Sequence, residues 1–302
     1  MSKSYVLYNP HAGNKSGTER AEKLRELYTD RELEYLDITT IKSYADLVES
    51  LDADDAIIVC GGDGTLNRFA NDIYDLNVKN ESLYYATGTG NDFLRDMDGI
   101  DGSVPFRVNE YISNLPVVTV KGKSYRFING VGFGIDGYCC EVGDKLRAKN
   151  DGKKINYAGI AIKGLLFFYK PTSAKITVDG VTHTYKKVWL APTMVGRYYG
   201  GGMRPTPHQT RDQREESVSL CAIHDSGKLK TLMVFPSIFK GEHINHTKIV
   251  DEFKGKHITV EFNRPVALQI DGETILDVTS YEACIPSLFN KNEEAKESCA
   301  QA

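Results

Sequence analysis

The sequence predicts an α/β domain, built on a mostly parallel sheet with helices on both faces, followed by an antiparallel β-sandwich. Three observations carry this. Up to about Ile112, short apolar runs alternate with stretches of helical character. Within that part the strands empty into glycine-rich turns. From about Pro116 the texture changes to period-2 strands with Asp-Gly turn signals. A chain of 302 residues is long enough for two such cores. The expected domains are residues 1–115 (α/β) and 116–282 (sandwich), with the segment from about 283 to 302 packing back on the first.

In the first part, Tyr5 to Tyr8 reads as a strand and Thr18 to Tyr28 as a helix. Leu33 to Ile38 is the next strand, followed by a helix from Tyr44 to Leu51. The apolar run Ala56 to Cys60 predicts a buried strand, and a helix-like segment from Leu66 to Leu76 follows its turn. Leu83 to Ala86 predicts a strand and Asp92 to Met97 a short helix. In the second part, strands are expected at Val117 to Val120, Lys175 to Val178, Lys186 to Leu190, Ser217 to Ile223, His257 to Phe262 and Ala267 to Ile270. Asp179-Gly180 and Asp271-Gly272 carry hairpin chemistry.

Composition is that of an ordinary globular chain, 41% hydrophobic and 26% charged with a net charge of −4, which gives no support for nucleic-acid binding. The N-terminus runs from polar residues directly into a strand, without an apolar signal region. The longest apolar stretch, Ile155 to Tyr169, is broken by Asn156, Lys163 and glycines and is too short to span a bilayer. Six cysteines show no CxxC pair, so reduced thiols and a cytoplasmic location are expected. Cys139 and Cys140 read as packing residues. Exposed sandwich edges would suit a homodimer.

The chemistry concentrates in three turns. Cys60-Gly61-Gly62-Asp63-Gly64-Thr65-Leu66-Asn67 puts glycines between a buried strand and a helix. Without side chains in the way, its N–H groups make an anion site suited to phosphate. Asp63 is odd in such a site unless a Mg²⁺ ion, or a water on it, stands between carboxylate and phosphate. The plainer alternative is that Asp63 caps the helix and the glycines only turn the chain. Asn9-Pro10-His11-Ala12-Gly13-Asn14-Lys15-Ser16-Gly17 is a second such turn, where Lys15 or Arg20 is placed to reach a phosphate. Thr87-Gly88-Thr89-Gly90-Asn91-Asp92-Phe93 is the third. Ligands of parallel sheets bind beyond the carboxyl ends of the strands, where all three turns lie, so they predict a nucleotide with its phosphates and metal over the sheet.

These turns, in this order, resemble the catalytic region of the diacylglycerol kinases, with the sphingosine, ceramide and small bacterial lipid kinases among their relatives. The resemblance continues through Asn129-Gly130-x-Gly132-Phe133-Gly134, Lys240-Gly241-Glu242-His243 with His246, and Gln269-Ile270-Asp271-Gly272-Glu273, and so covers nearly the whole chain. GGDGT alone also occurs in NAD kinases and phosphofructokinases; the GTGNDF turn and the late IDGE select the lipid kinases. The resemblance implies Mg-ATP bound between an α/β domain and a sandwich, and transfer of its γ-phosphoryl group to a lipid hydroxyl at a membrane surface. It implies Glu273 as general base, supported by Asp271, and Asp63 and Asp92 ordering the Mg²⁺ shell. Asn9, Pro10, His11, Ala12, Gly13, Thr39, Gly61, Gly62, Asp63, Gly64, Thr65, Leu66, Asn67, Thr89 and Asn91 are then the nucleotide-binding set. Taken alone, Asp271-Gly272-Glu273 reads as a hairpin turn and nothing more.

Two departures from the family pattern stand out. Pro116-Val117-Val118-Thr119-Val120 carries no acid where bacterial relatives often have an aspartate, and Pro207 to Glu216 lacks the Asp-rich core of a structural Mg²⁺ loop. His243 and His246 have metal-ligand spacing without a third ligand nearby, and with Lys240 and Lys248 beside them a surface or cleft-rim role is expected. Tyr157 to Tyr169 reads as a helix that lines an acyl groove, dips into a membrane interface or packs over the sandwich. Two rival functions remain at this level: a soluble-substrate kinase of the NAD kinase type, and a nucleotide- or lipid-binding regulator with a weakened site.

Overall fold

The computed structural model describes residues 2–149, 155–211 and 215–289, the side chains of residues 14, 15 and 158 excepted. The chain divides into two compact units between Asn114 and Leu115.

The first unit holds β1 (Lys3–Tyr8), β2 (Glu32–Asp37), β3 (Ala56–Gly61), β4 (Glu81–Ala86) and β5 (Phe106–Arg107), in the order β2-β1-β3-β4-β5. The first four strands are parallel, and β5 is an antiparallel edge absent from the sequence reading because two residues leave no pattern. The central strand β3, Ala-Ile-Ile-Val-Cys-Gly, is buried along its length, as expected of a strand covered on both faces. On one face Val6, Ile58, Cys60 and Leu83 pack with Ala21 and Leu24. The expected helix over residues 18–28 is two pieces, Gly17–Glu22 and Leu24–Leu27. Elsewhere Tyr84 meets Phe93 and Phe106 edge-on, at 6.0 and 5.8 Å between ring centroids. Tyr8 stands level with Cys60, and Cys60 with Tyr85, so the turns after β1, β3 and β4 leave the sheet on one edge.

The second unit is antiparallel throughout: β6 (Val117–Val120), β7 (Lys123–Arg126), β8 (Gly130–Gly134), β9 (Thr172–Val178), β10 (Val181–Met194), β11 (Val218–His224), β12 (Val250–Gly255), β13 (His257–Ile270) and β14 (Glu273–Cys284). Their order is β12-β11-β10-β8-β13-β14-β6-β7, and β9 pairs with both β10 and β13. The 14-residue strands β10 and β13 therefore bend to serve both layers, with breaks in register near Tyr185–Val188 and Glu261–Val266. The strands expected at His257 to Phe262 and Ala267 to Ile270 are two halves of β13, with Pro265 at the irregularity, where a missing N–H is tolerated. Phe133 of β8 is central to the core, 4.4 Å from the Phe262 ring and 5.3 Å from that of Tyr281. Asp179-Gly180 and Asp271-Gly272 both have positive φ at both positions, the type I′ geometry their composition suggests. Outside the sheet, the helices Ile135–Lys149, Tyr157–Lys163 and Lys228–Val234 sit over a second cluster that includes Ile135, Leu165, Trp189, Ile223 and Ile238.

The expectation that residues from about 283 onward return to the first unit falls mainly on residues 290–302, outside those described; Ala283 and Cys284 end β14 against Val118 and Val117. Among the described residues no helix is long and apolar enough to cross a membrane.

Candidate functional site

The turn from Gly61 to Asn67, between β3 and its helix, is the hub of the first unit. Gly61 ends β3, and its carbonyl accepts the N–H of Thr87 at 2.8 Å and of Gly88 at 3.1 Å. Gly62 precedes the helix Asp63–Asp72, whose first bonds are Thr65 N–H to Gly62 O at 2.9 Å and Leu66 N–H to the same oxygen at 3.1 Å. Only glycine fits at two of these places. A Cβ on Gly61 would lie 2.4 Å from that of Thr65, and one on Gly88 would lie 2.4 Å from Gly62 Cα. The turns after β3 and β4 thus touch backbone to backbone. Gly64, by contrast, faces open space.

Side chains complete the junction. Asn9 Nδ2 donates to Thr65 Oγ1 at 3.0 Å, while Asn9 Oδ1 accepts from the His11 amide at 2.9 Å. Asp63 accepts from the amides of Asp92 and Phe93, at 2.8 and 2.9 Å. Asn91 takes the left-handed conformation at φ 50, and its Nδ2 reaches Gly88 O at 3.1 Å. A Cβ on Gly90 would stand 3.6 Å from Asp63 Oδ2 and 3.9 Å from Asp92 Oδ2, so both carboxylates converge there. Asp92 is buried, with Arg95 Nε 3.8 Å from its Oδ1. Gly13, at φ +57, passes so close to Thr87 O that a Cβ would come within 2.8 Å.

The structure brings together Asn9, Gly13, Gly61, Gly62, Asp63, Thr65, Thr87, Gly88, Asn91 and Asp92. Pro10, His11 and Ala12 lie on the same turn, and Gly64 and Thr89 are exposed on theirs. Leu66 is buried in the core, and Asn67 Oδ1 accepts from Asn71 Nδ2 at 2.7 Å. Thr39 is exposed after β2, its amide and hydroxyl both on Asp37 Oδ1 at 2.9 and 2.7 Å. Arg20 Nη1 donates to Thr87 O at 2.7 Å, so it ties two turns together; the side chain of Lys15 falls outside those described.

The second unit assembles its own constellation on the hairpin between β13 and β14. Asp271 Oδ2 accepts from Ile128 N–H at 2.6 Å, and Asp271 Oδ1 from Asn129 and Gly130 N–H at 2.9 and 2.8 Å. Its own N–H donates to Gly130 O at 2.9 Å. Asp271 therefore locks the hairpin to the start of β8, and Glu273, exposed, opens β14 beside it. Gln269 Oε1 accepts the Gly272 N–H at 2.9 Å. Arg211 Nη2 donates to Asn129 Oδ1 at 2.6 Å.

The sequence reading missed Asp136. It is buried at the start of the helix Ile135–Lys149, with Oδ1 on the Gly137 N–H at 2.9 Å. A Cβ on Gly132 would strike Asp136 Oδ2 at 1.9 Å, which explains that glycine. Burial pushes its carboxyl up to about 7, against the opposing pull of bonds from Gly137 and Gln269. An acid directly after Gly-Phe-Gly-Ile, where a strand gives way to a helix, was the available signal. His243 corrects the expectation of a surface or rim role. It is fully buried, with Nε2 2.9 Å from Pro205 O and 3.5 Å from Cys221 Sγ, and burial lowers its pKa to about 4. The lysines near it in sequence are exposed, but its ring turns inward from a 3₁₀ turn. Among the described residues no disulfide forms, and burial raises the Cys60, Cys139 and Cys221 thiols far above their usual range.

The diacylglycerol kinase catalytic domain profile matches residues 3–116, and the profile of the YegS C-terminal NAD kinase beta sandwich-like domain matches residues 129–290. The chain belongs to the diacylglycerol kinase family. YtlR of Bacillus subtilis is 22% identical over 300 residues, 90% of this chain and 94% of that one. A diacylglycerol kinase of the same organism is 23% identical over 283 residues, 90% of each chain. The crystal structure of a diacylglycerol kinase from Bacillus anthracis superposes with a TM-score of 0.61 at 21% identity, covering 94% of each chain, and so shares the fold. In this diacylglycerol kinase family member the three glycine-rich turns fall inside the catalytic-domain match, and Asp136, Asp271 and Glu273 inside the sandwich match. A kinase family implies a nucleotide co-substrate.

Proposed function

We propose that this protein transfers the γ-phosphoryl group of ATP to the hydroxyl of a lipid, diacylglycerol-like or sphingoid, at a membrane surface. The observation that carries the reading is the contact of Gly62 with Gly88, which stacks two glycine-rich turns on one sheet edge with Asp63 bonded across them. The α/β domain, residues 1–115, holds the nucleotide, and the sandwich, residues 116–282, binds the lipid acceptor. Asn9, Gly13, Thr39, the Gly61 to Asn67 turn, Thr89 and Asn91 form the nucleotide face, on which backbone N–H groups at the start of the helix after β3 meet phosphate oxygens.

Magnesium fits this donor set. Phosphoryl-transfer Mg²⁺ sits on one or two carboxylates, substrate phosphates and water rather than in an all-protein cage. Asp63 and Asp92 converge on Gly90, and each Asp63 oxygen accepts one amide, leaving lone pairs for a water. Bound there, the ion supplies charge neutralisation.

Glu273 takes the proton of the acceptor hydroxyl as that oxygen bonds to the γ-phosphorus and the bond to the β-phosphate oxygen breaks. Asp271 positions the hairpin on which Glu273 stands. The turn amides hold the phosphates in line, and positioning supplies most of the acceleration.

The test is transfer of labelled γ-phosphate from Mg-ATP into a lipid panel in mixed micelles, with wild type, Asp63→Ala and Glu273→Gln compared. The expected result is one labelled lipid class, lost in both variants while Glu273→Gln still binds ATP. Label in a soluble acceptor alone, or none with ATP bound, overturns the reading.

A further inference from the structure

The hairpin that carries Glu273 is held from a second side, by a chain of side chains that starts far away in sequence. Glu273 and Thr274 are consecutive in β14, so their side chains leave the strand on opposite faces. The Thr274 hydroxyl donates to Asp144 Oδ2 at 2.6 Å, across 130 residues of sequence. Arg147 Nη1 donates to the other oxygen of Asp144 at 2.9 Å, and Arg147 Nη2 donates to the Tyr157 hydroxyl at 2.6 Å. Tyr157 in turn lies against the backbone of the helix Ile135–Lys149, where a Cβ on Gly143 would come within 2.8 Å of its ring.

That helix is set to reach the hairpin. Gly137, Cys140 and Asp144 are spaced three and four apart, so they share one face. Gly137 packs so closely on β13 that a Cβ there would lie 2.1 Å from Ala267 O. The Cys140 thiol, one turn on, feels the charges of both Asp144 and Glu273. Asp144 follows at the level of Thr274. An exposed Asp–Arg pair at i, i+3 is ordinarily worth little, and the Asp144 and Arg147 side chains are 45% and 60% exposed. What sets this pair apart is its bond to the residue beside Glu273. Asp271 ties the tip of the hairpin to the start of β8, and Thr274 ties its β14 side to the helix. Among the described residues no side chain hydrogen-bonds the Glu273 carboxylate, so its direction depends on how the strand beneath it is held.

We propose that Asp144 is a positioning residue: braced by Arg147, it grips Thr274 and so fixes the direction in which Glu273 leaves β14. The use of that direction rests on the reading of Glu273 as the base for the acceptor hydroxyl, whereas the grip on the hairpin does not. The full chain is assayed with labelled Mg-ATP and with diacylglycerol or sphingosine in mixed micelles. Thr274→Val keeps the shape and removes the hydroxyl, and valine is favoured in strands, so the melting temperature should hold. It is expected to lower kcat about tenfold with KM for Mg-ATP unchanged, since a misplacement of ~1 Å costs up to ~100-fold. Asp144→Ala should match it, and the two combined should be no worse than either alone. Thr274→Ser, which restores the donor, should keep the wild-type kcat. In a Glu273→Gln background Thr274→Val should change nothing further. Hydrogen exchange of the peptide spanning residues 269–275 reads the grip without turnover. It should quicken in Thr274→Val and Asp144→Ala and stay as in wild type in Thr274→Ser. If wild type labels neither lipid, the kinase reading is what fails on those acceptors, and the exchange rates still decide whether Asp144 holds the hairpin. An undiminished kcat in Thr274→Val overturns the proposal, as does an equal loss in Thr274→Ser, a further loss in the Glu273→Gln background, or unchanged exchange in the valine and alanine variants.

Discussion

The carboxylate of Asp63 accepts the backbone N–H groups of Asp92 at 2.8 Å and Phe93 at 2.9 Å, so the turn after β4 hangs from the turn after β3. Asp63 stands at the first position of its own helix while capping another, the short helix Asp92–Arg95. The cap expected on its own helix is not made, because Gly62 stands at that position; the Asp63 oxygens serve the helix after β4 instead.

Asp63→Ala removes the acceptor from two amides at once. Loss of a cap costs about 1 kcal/mol, and a buried amide left without a partner up to ~3 kcal/mol. Urea unfolding should show a stability loss of about 1–3 kcal/mol. Asp63→Asn keeps one acceptor oxygen and should lose about half as much. If both variants unfold as wild type does, the bonds to the Asp92 and Phe93 amides do not support the fold.

The glycines of the same turn separate folding from binding. Gly88→Ala places a methyl 2.4 Å from Gly62 Cα, with only backbone to give way, and overpacking of this kind costs about 1–3 kcal/mol. Gly64→Ala meets nothing within 4 Å and sits in a helix, where alanine is favoured by up to ~1 kcal/mol. Gly64→Ala should thus keep or raise the melting temperature while weakening ATP binding, measured by calorimetry. Unchanged ATP affinity would show that ligand does not approach the backbone at Gly64.

Much of this was legible in the sequence because the first unit advertises itself locally. The strand β3 is a run of six residues with no polar side chain, and each glycine turn follows a strand directly. The second unit was harder to read. Strand β8 is Gly-Val-Gly-Phe-Gly, a poor strand by propensity, and is held by close packing: Gly134, at φ +114, leaves a Cβ only 2.5 Å from Trp189 O. The lengths of β10 and β13 depend on bends that pair them with β9 and β8 together, a tertiary fact. His243 looked exposed because its sequence neighbours are lysines, whereas burial is decided by which side of a short 3₁₀ turn meets the core.

Asp271 and Asp179 make a built-in comparison. Each opens a type I′ turn at φ 46, and each carboxylate binds amides of another strand: Ile128, Asn129 and Gly130 for Asp271, Lys256 and His257 for Asp179. Asparagine tolerates the same backbone conformation but turns an NH₂ toward those donors. Asp271→Asn and Asp179→Asn should each lower stability by about 1–3 kcal/mol. Only Asp271→Asn should also lower kcat, because Glu273 stands on its hairpin. Equal kcat in the two variants would separate Asp271 from the chemistry.

Asp136 and His243 should pull stability in opposite directions with pH. The folded pKa of Asp136 is raised to about 7 by burial, from an ordinary 3.8. The folded protein then holds a proton that the unfolded chain releases, so this stability is full below about pH 4 and is lost as pH rises to 7. The groups that feel its charge are Cys139, Cys140, Tyr169, Tyr199 and Tyr281, none of them cationic. The folded pKa of His243 is lowered to about 4, from 6.5. Its unfolded form takes up the proton first, so this stability is present above about pH 6.5 and is lost as pH falls to 4. Each slope is about 1.4 kcal/mol per pH unit, of opposite sign, over nearly the same window. The two should cancel in the wild type between pH 4 and 6.5. Asp136→Asn should expose the histidine slope, with stability falling on acidification, and His243→Gln should expose the aspartate slope, with stability rising on acidification. Urea unfolding of the three proteins at half-unit steps of pH measures both, and parallel curves for all three would mean that neither pKa differs between the folded and unfolded chains.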